Sequence, residues 1–141
     1  MRERRVVVTG LGALTPLGND VPTFWESLVN GVSGAGPITL FDASLFKTRF
    51  ACEVKNFNPA DFGIDRKEAR KMDRFAQFAQ VAADQAIADS KLYLEKINRK
   101  RVGVIVGSGI GGIETLSDEI MGYCDGGKTP RFNPFLIPKM I

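Results

Sequence analysis

Strands alternating with helices along this chain predict an α/β layered fold with a largely parallel sheet. Three observations carry that expectation. Val6-Val7-Val8 is a continuous β-branched run, the pattern of a strand buried on both faces. Residues 74–89 set Phe75, Phe78, Ala79, Ala82, Ala83, Ala86 and Ile87 at steps of three and one, the spacing of a helix face. Val102-Gly103-Val104-Ile105-Val106 reads as a second buried strand and runs straight into Gly107-Ser108-Gly109-Ile110-Gly111-Gly112.

The elements follow in order. Residues 5–9 form the first strand and residues 10–18 a Gly/Pro loop. Asp20 is placed to cap a helix over residues 21–30, with Pro22 in its first turn. Residues 31–37 read as loop, and a short strand covers residues 50–54. Asp65 starts a basic helix reaching Asp73 or beyond. In the 74–89 helix, Ala76, Val81 and Ala88 make the opposite side apolar too, which predicts burial from several directions. Its alanines would let another backbone come close. Arg99-Lys100-Arg101 reads as a solvated approach to the second strand. A helix over residues 113–123 follows the glycine run and ends at Gly126-Gly127. The apolar segment 135–141 is expected to be docked rather than solvated. Few strands are visible, so residues 1–141 read as an incomplete piece of a larger α/β domain.

Composition narrows the chemistry. The 141 residues are 44% apolar and 25% charged, as in a globular protein with a modest core. No apolar run is long enough to span a bilayer, and the charged start lacks a signal-peptide core. The net charge of +3 is too small to imply a nucleic acid partner, and neither nucleic acid nor membrane is expected. Cys52 and Cys124 show no disulfide or metal spacing, which fits a reducing cytoplasm. Cys52 is expected to be a small buried hydrophobe, and Cys124 has no histidine to activate it. The chain contains no histidine at all. Ser/His, Cys/His and His-ligated metal chemistry are therefore excluded from it, and no metal site is expected.

Two segments stand out as candidate sites. Glycines before a helix let a backbone pass close to a ligand or another chain, and Ile110 is the lone bulky residue in that frame. Ile110 is either a gate standing out from a bare surface or ordinary core filler. In the second segment, helical spacing would put Arg66, Lys67, Arg70, Lys71 and Arg74 on a single positive stripe, only partly offset by Asp65, Glu68 and Asp73. A solvated face with i,i+4 pairs is the plain alternative.

Taken together, several stretches resemble the N-terminal portion of a β-ketoacyl-acyl carrier protein synthase of the elongating type II class. They are residues 5–12 with Thr15-Pro16-Leu17-Gly18, Phe41-Asp42, residues 66–75, Gly107 through Gly112, and Asn133-Pro134-Phe135. The resemblance covers the whole chain. It implies a thiolase-like layered α-β-α-β-α fold and a homodimer. It also implies decarboxylating Claisen condensation of an acyl thioester with malonyl-acyl carrier protein, with no cofactor beyond the phosphopantetheine that arrives on the carrier. The family's reactive cysteine and its two histidines are expected past residue 141, so no catalytic residue is assigned here. By resemblance, Gly109 and Ile110 match the gate of the acyl pocket, and Leu136 matches a position near its mouth. Lys67, Arg70 and Lys71, with Lys128 and Arg131, match the patch that docks acyl carrier protein.

Two rivals remain. A chain-length-factor-like subunit keeps this fold without the cysteine. A Rossmann-like nucleotide-binding domain fits Gly10-Leu11-Gly12 and the formal G-x-G-x-x-G of Gly107 to Gly112. However, Pro16 interrupts the helix that the first motif needs, and neither motif has an acidic residue at the end of a following strand.

Overall fold

The computed structural model of the chain describes residues 3–141. In chain order the elements are α1 (Val21–Val29), β1 (Gly36–Pro37), β2 (Phe50–Ala51), α2 (Arg66–Ala69), α3 (Arg74–Asp89), α4 (Ile113–Asp125) and α5 (Leu136–Met140). Tight 3-10 turns occupy Pro59–Phe62 and Arg99–Arg101. Two compact units are built from them, one from Met1–Phe57 and Val81–Glu95, the other from Asn58–Gln80 and Lys96–Ile141.

In the first unit α1 starts where its cap predicts. The Asp20 carboxylate accepts from the Thr23 backbone N–H at 2.8 Å and from the Thr23 hydroxyl at 2.9 Å. Such a cap contributes about 1 kcal/mol. The turn Thr15-Pro16-Leu17-Gly18 closes through a Thr15–Gly18 bridge, and the Ser27 hydroxyl of α1 donates to the Leu17 carbonyl at 3.0 Å. β1 pairs antiparallel with β2, Gly36 opposite Ala51 and Pro37 opposite Phe50. The strand expected over 50–54 is thus present at its start only, and part of the expected loop 31–37 is its partner. Beyond Ala51 the Glu53 carboxylate accepts from the Thr39 and Leu40 amides, so a side chain satisfies groups that a longer ladder would use.

Residues 10–13 lie along the later part of α3. A Cβ on Gly12 would fall on the Ala82 carbonyl, and one on Gly10 on that of Ala86. The Leu11 N–H donates to Asp89 Oδ2 and the Ala13 N–H to Gln85 Oε1, both at 2.9 Å. The alanines of α3 do allow close backbone approach. Burial from several sides does not follow, because Val81 is the buried apolar residue of that helix among those described. Segment 10–13 covers one face, and residues such as Ile87 stay exposed.

The expected strands 5–9 and 102–106 make no ladder among the described residues. Val6 is 91% exposed and Ile105 99%. A β-branched run gains from burial and from neighbours that bond its N–H and C=O groups. No described residue supplies those neighbours, so the sheet seen here is the two-stranded antiparallel one. Cys52 is exposed as well, contrary to the expectation of burial, since the ladder ends one residue before it.

In the second unit Asp65 caps α2 through the Lys67 and Glu68 amides, at 2.6 and 3.0 Å. The helix then stops at Ala69 instead of reaching Asp73. Gln77 explains the stop. Its side-chain amide donates to the Ala69 carbonyl at 3.0 Å and to the Met72 carbonyl at 3.3 Å, so these oxygens are satisfied without another helical turn. Asp73 is buried, and its Oδ2 accepts from the Thr115 hydroxyl at 2.6 Å and the Thr115 N–H at 3.2 Å. That contact ties the start of α3 to the first turn of α4. α4 runs on to Asp125 and closes with the Gly126 N–H on the Gly122 carbonyl at 3.0 Å. Arg99, Lys100 and Arg101 are all exposed, as expected.

Candidate functional site

The glycine run splits into two halves. In its inner half the Gly112 N–H donates to the Met140 carbonyl at 3.1 Å, and the Gly111 N–H donates to the Ser108 hydroxyl at 3.0 Å. Gly111 sits at φ +69°, and a Cβ there would fall on the Met140 carbonyl. One on Gly112 would strike the Lys139 carbonyl and the Met140 Cα. Only glycine fits this approach to α5. In the outer half, nothing lies near a Cβ built on Gly107 or Gly109.

Ile110 stands between the halves, 73% exposed. With Phe75, Val106, Gly109, Met140 and Ile141 it lines an open pocket of about 450 Å³. None of the described residues lining it carries a charge. Such walls can hold an apolar chain and offer no group for acid–base work.

Leu136, the other expected pocket residue, does not line this pocket. It is the half-buried first residue of α5. Its position is fixed from α4, where Glu119 Oε2 accepts from the Asn133 N–H at 3.0 Å, while the Asn133 side chain accepts from the Phe135 N–H at 2.9 Å. The motif Asn133-Pro134-Phe135 therefore anchors α5, whose far end meets the glycines. The segment 135–141 docks through the Met140 backbone, while Ile137 and Ile141 remain exposed.

The basic residues form no single helical stripe, because α2 ends at Ala69 and α3 begins at Arg74. Lys67 and Arg70 are exposed. Lys71 pairs with Glu68 at 2.6 Å, and that hydrogen bond and charge push its ammonium above the usual lysine range. The Arg74 guanidinium lies 5.0 Å from the Phe78 ring centre. Lys128 is exposed with φ +62°, its N–H donating to the Tyr123 carbonyl at 2.9 Å. Arg131 borders a different open pocket of about 450 Å³ with Asp118, Glu119, Tyr123 and Thr129. None of Lys67, Arg70, Lys71, Lys128 or Arg131 lines the Ile110 pocket.

Phe41-Asp42 turns out to be a local turn. The Asp42 carboxylate accepts from the Ser44 N–H at 2.9 Å, which with the Ser44 hydroxyl holds it below the usual carboxylate range. Phe41 meets Phe46 edge-on at 5.6 Å. At both motifs of the nucleotide reading, some of the amides that would face a phosphate are turned inward. Phosphate cradles need free backbone N–H groups. The N–H groups of Leu11, Ala13, Gly111 and Gly112 are all taken within the chain. Sequence reasoning missed the Asp73–Thr115 and Gln77 contacts. An aspartate just before a helix, and a glutamine within that helix's first turn, were the signals available.

The family model described as "Beta-ketoacyl synthase, N-terminal domain" matches residues 3–138. The chain is 49% identical over 141 residues to the "3-oxoacyl-[acyl-carrier-protein] synthase 2" of Synechocystis sp., covering all of this chain and 33% of that protein. The chain thus spans a third of the length of this curated relative. Among solved structures it is similar to the ishigamide ketosynthase/chain length factor, with TM-score 0.80 and 30% identity over 98% of this chain and 34% of that one. It is also similar to a type II PKS acyl-carrier protein in complex with its ketosynthase (AntDE:AntF), with TM-score 0.72 and 26% identity over 99% of this chain and 35% of that one. The fold is the thiolase-like fold of the ketosynthases, seen in its N-terminal part. The chain belongs to the β-ketoacyl synthase family, in its N-terminal domain.

Proposed function

We propose that this chain is the N-terminal portion of a 3-oxoacyl-[acyl-carrier-protein] synthase of fatty acid elongation, an acyltransferase. In the complete protein the malonyl carboxyl group leaves as CO2. The malonyl C2 forms a bond to the acyl carbonyl carbon, and the enzyme's thiolate departs from that carbon. The Cys and two His that such chemistry needs are none of the residues described above. The chain supplies the gate, Gly109 and Ile110, with Leu136 at the start of α5, whose far end borders the pocket. It also supplies Lys67, Arg70, Lys71, Lys128 and Arg131 as a surface for acyl carrier protein. Phosphopantetheine arrives on that carrier, and no other cofactor is invoked. A homodimer in the cytoplasm completes the reading. The family resemblance supports the dimer, and the exposed, unpaired state of Cys52 and Cys124 suits a reducing compartment.

One observation carries the proposal. Ile110 projects from the open half of the glycine run into an uncharged pocket, on a stretch that matches the family's gate. Ile110→Phe in the complete synthase is expected to shorten the acyl chains accepted, because added volume blocks the channel. An equal loss at every primer length would mean core damage and sink the gate. The similarity to a ketosynthase/chain length factor favours a second reading, a non-catalytic subunit. A complete protein that takes up a labelled acyl group as a thioester supports the synthase. One that takes up none supports the subunit.

A further inference from the structure

We propose that a small apolar socket between the Pro59–Phe62 turn and α2 receives an apolar side chain from the acidic helix of a docking protein, with Arg66 as a contact at its rim. The inference rests on the carrier-docking reading and gives that surface an anchor. The socket encloses about 300 Å³ and is walled by Pro59, Ala60, Ile64 and Ala69, with Asn58 and Arg66 at its edge. Ile64 is 2% exposed and gives the socket a fixed apolar wall. The turn is closed at both ends. Asn58 caps it by accepting from the Ala60 N–H at 3.4 Å, and Gly63 closes it in the left-handed region.

Charge identifies the occupant. Every carboxylate of this segment is engaged locally: Asp61 with the Asn58 amide at 3.0 Å, Asp65 with the amides of α2, and Glu68 with Lys71 at 2.6 Å. The cations are distributed differently. Among the described residues no ion pair or side-chain hydrogen bond engages Arg66, Lys67 or Arg70. Asp61 and Asp65 keep their charge, but Arg66, Lys67, Arg70 and Lys71 outnumber the three acids, so the surface around the apolar hollow is net positive. An acidic helix with an apolar side chain one turn from its carboxylates complements both features. Lys71 contributes less, since its charge is already matched.

The test titrates holo-acyl carrier protein against the complete protein at about 50 mM and about 300 mM salt, where screening lengths differ by more than twofold. Ala60 is exposed, so Ala60→Phe fills the socket from its rim without disturbing the core. It is expected to weaken binding about tenfold at both salt concentrations. Arg66→Gln with Arg70→Gln is expected to weaken binding mainly at low salt and flatten its salt dependence. Unchanged affinity of Ala60→Phe, with the arginine variant still weakened, overturns the socket and leaves basic docking intact. If the unaltered protein fails to bind at low salt, or neither variant matters, the docking surface itself is refuted.

Discussion

Segments 10–13 and 107–112 are both glycine-bearing loops that follow a β-branched run, yet they meet very different surroundings. In the first, Gly10 and Gly12 are pressed against α3, and the Leu11 and Ala13 amides are taken by Asp89 and Gln85. In the second, only Gly111 and Gly112 are pressed against their own chain, at the end of α5. Gly107 and Gly109 face open space, and Ile110 stands out beside them. Glycine is thus needed by internal packing throughout the first loop and in half of the second. The open half is where the proposed acyl chain would have room.

That contrast can be broken by substitution. The largest effect is expected from Gly112→Ala, which forces a methyl group into the backbone of residues 139–140. Overpacking of this kind costs about 1–3 kcal/mol, and loss of hydrogen-exchange protection at the Gly112 amide is the readout. Gly12→Ala should cost a similar amount against α3. Gly109→Ala, with open space and no positive φ, should leave stability unchanged. If the Gly109 and Gly112 variants melt alike, the two halves are not distinct.

Next in size is Asp73→Ala, which leaves the buried Thr115 hydroxyl and N–H without their acceptor. About 1–3 kcal/mol is expected, seen as a lower melting temperature. Gln77→Ala should cost about 1 kcal/mol and let helical structure extend past Ala69, visible in backbone chemical shifts. An unchanged helix end would refute the part given to Gln77. The smallest effect lies at Asp42. Its carboxyl is held low in the folded chain, so its contribution is present above the ordinary carboxylate value and is lost as pH falls through the depressed one. Ser44→Ala removes the hydroxyl's share and should raise the Asp42 midpoint in a carboxyl NMR titration.

Local chemistry was the legible part of the sequence. Asp20 and Asp65 mark the starts of α1 and α2, the three-and-one spacing gives α3 its full length, and the glycine run precedes α4. The illegible part depended on partners remote in sequence. Residues 5–9 and 102–106 carry a strand pattern whose ladder needs neighbours that no described residue provides. α2 ends early because of a glutamine eight residues on, a contact that no helix pattern encodes. At the site, the glycine frame left Ile110 open between gate and core filler, and its exposure in the structure decides against core filler. The basic stripe is broken because α2 stops at Ala69, and Lys71 just beyond it pairs with Glu68.

The most direct test of the open half is NMR of the complete protein with Ile δ1 methyl groups and backbone amides labelled, comparing the free state with added dodecanoyl-acyl carrier protein. The Ile110 methyl should shift on acyl binding while the Gly112 amide, held on Met140, stays in place. A shift at Gly112 with none at Ile110 would contradict the division of the loop and the gate built on it.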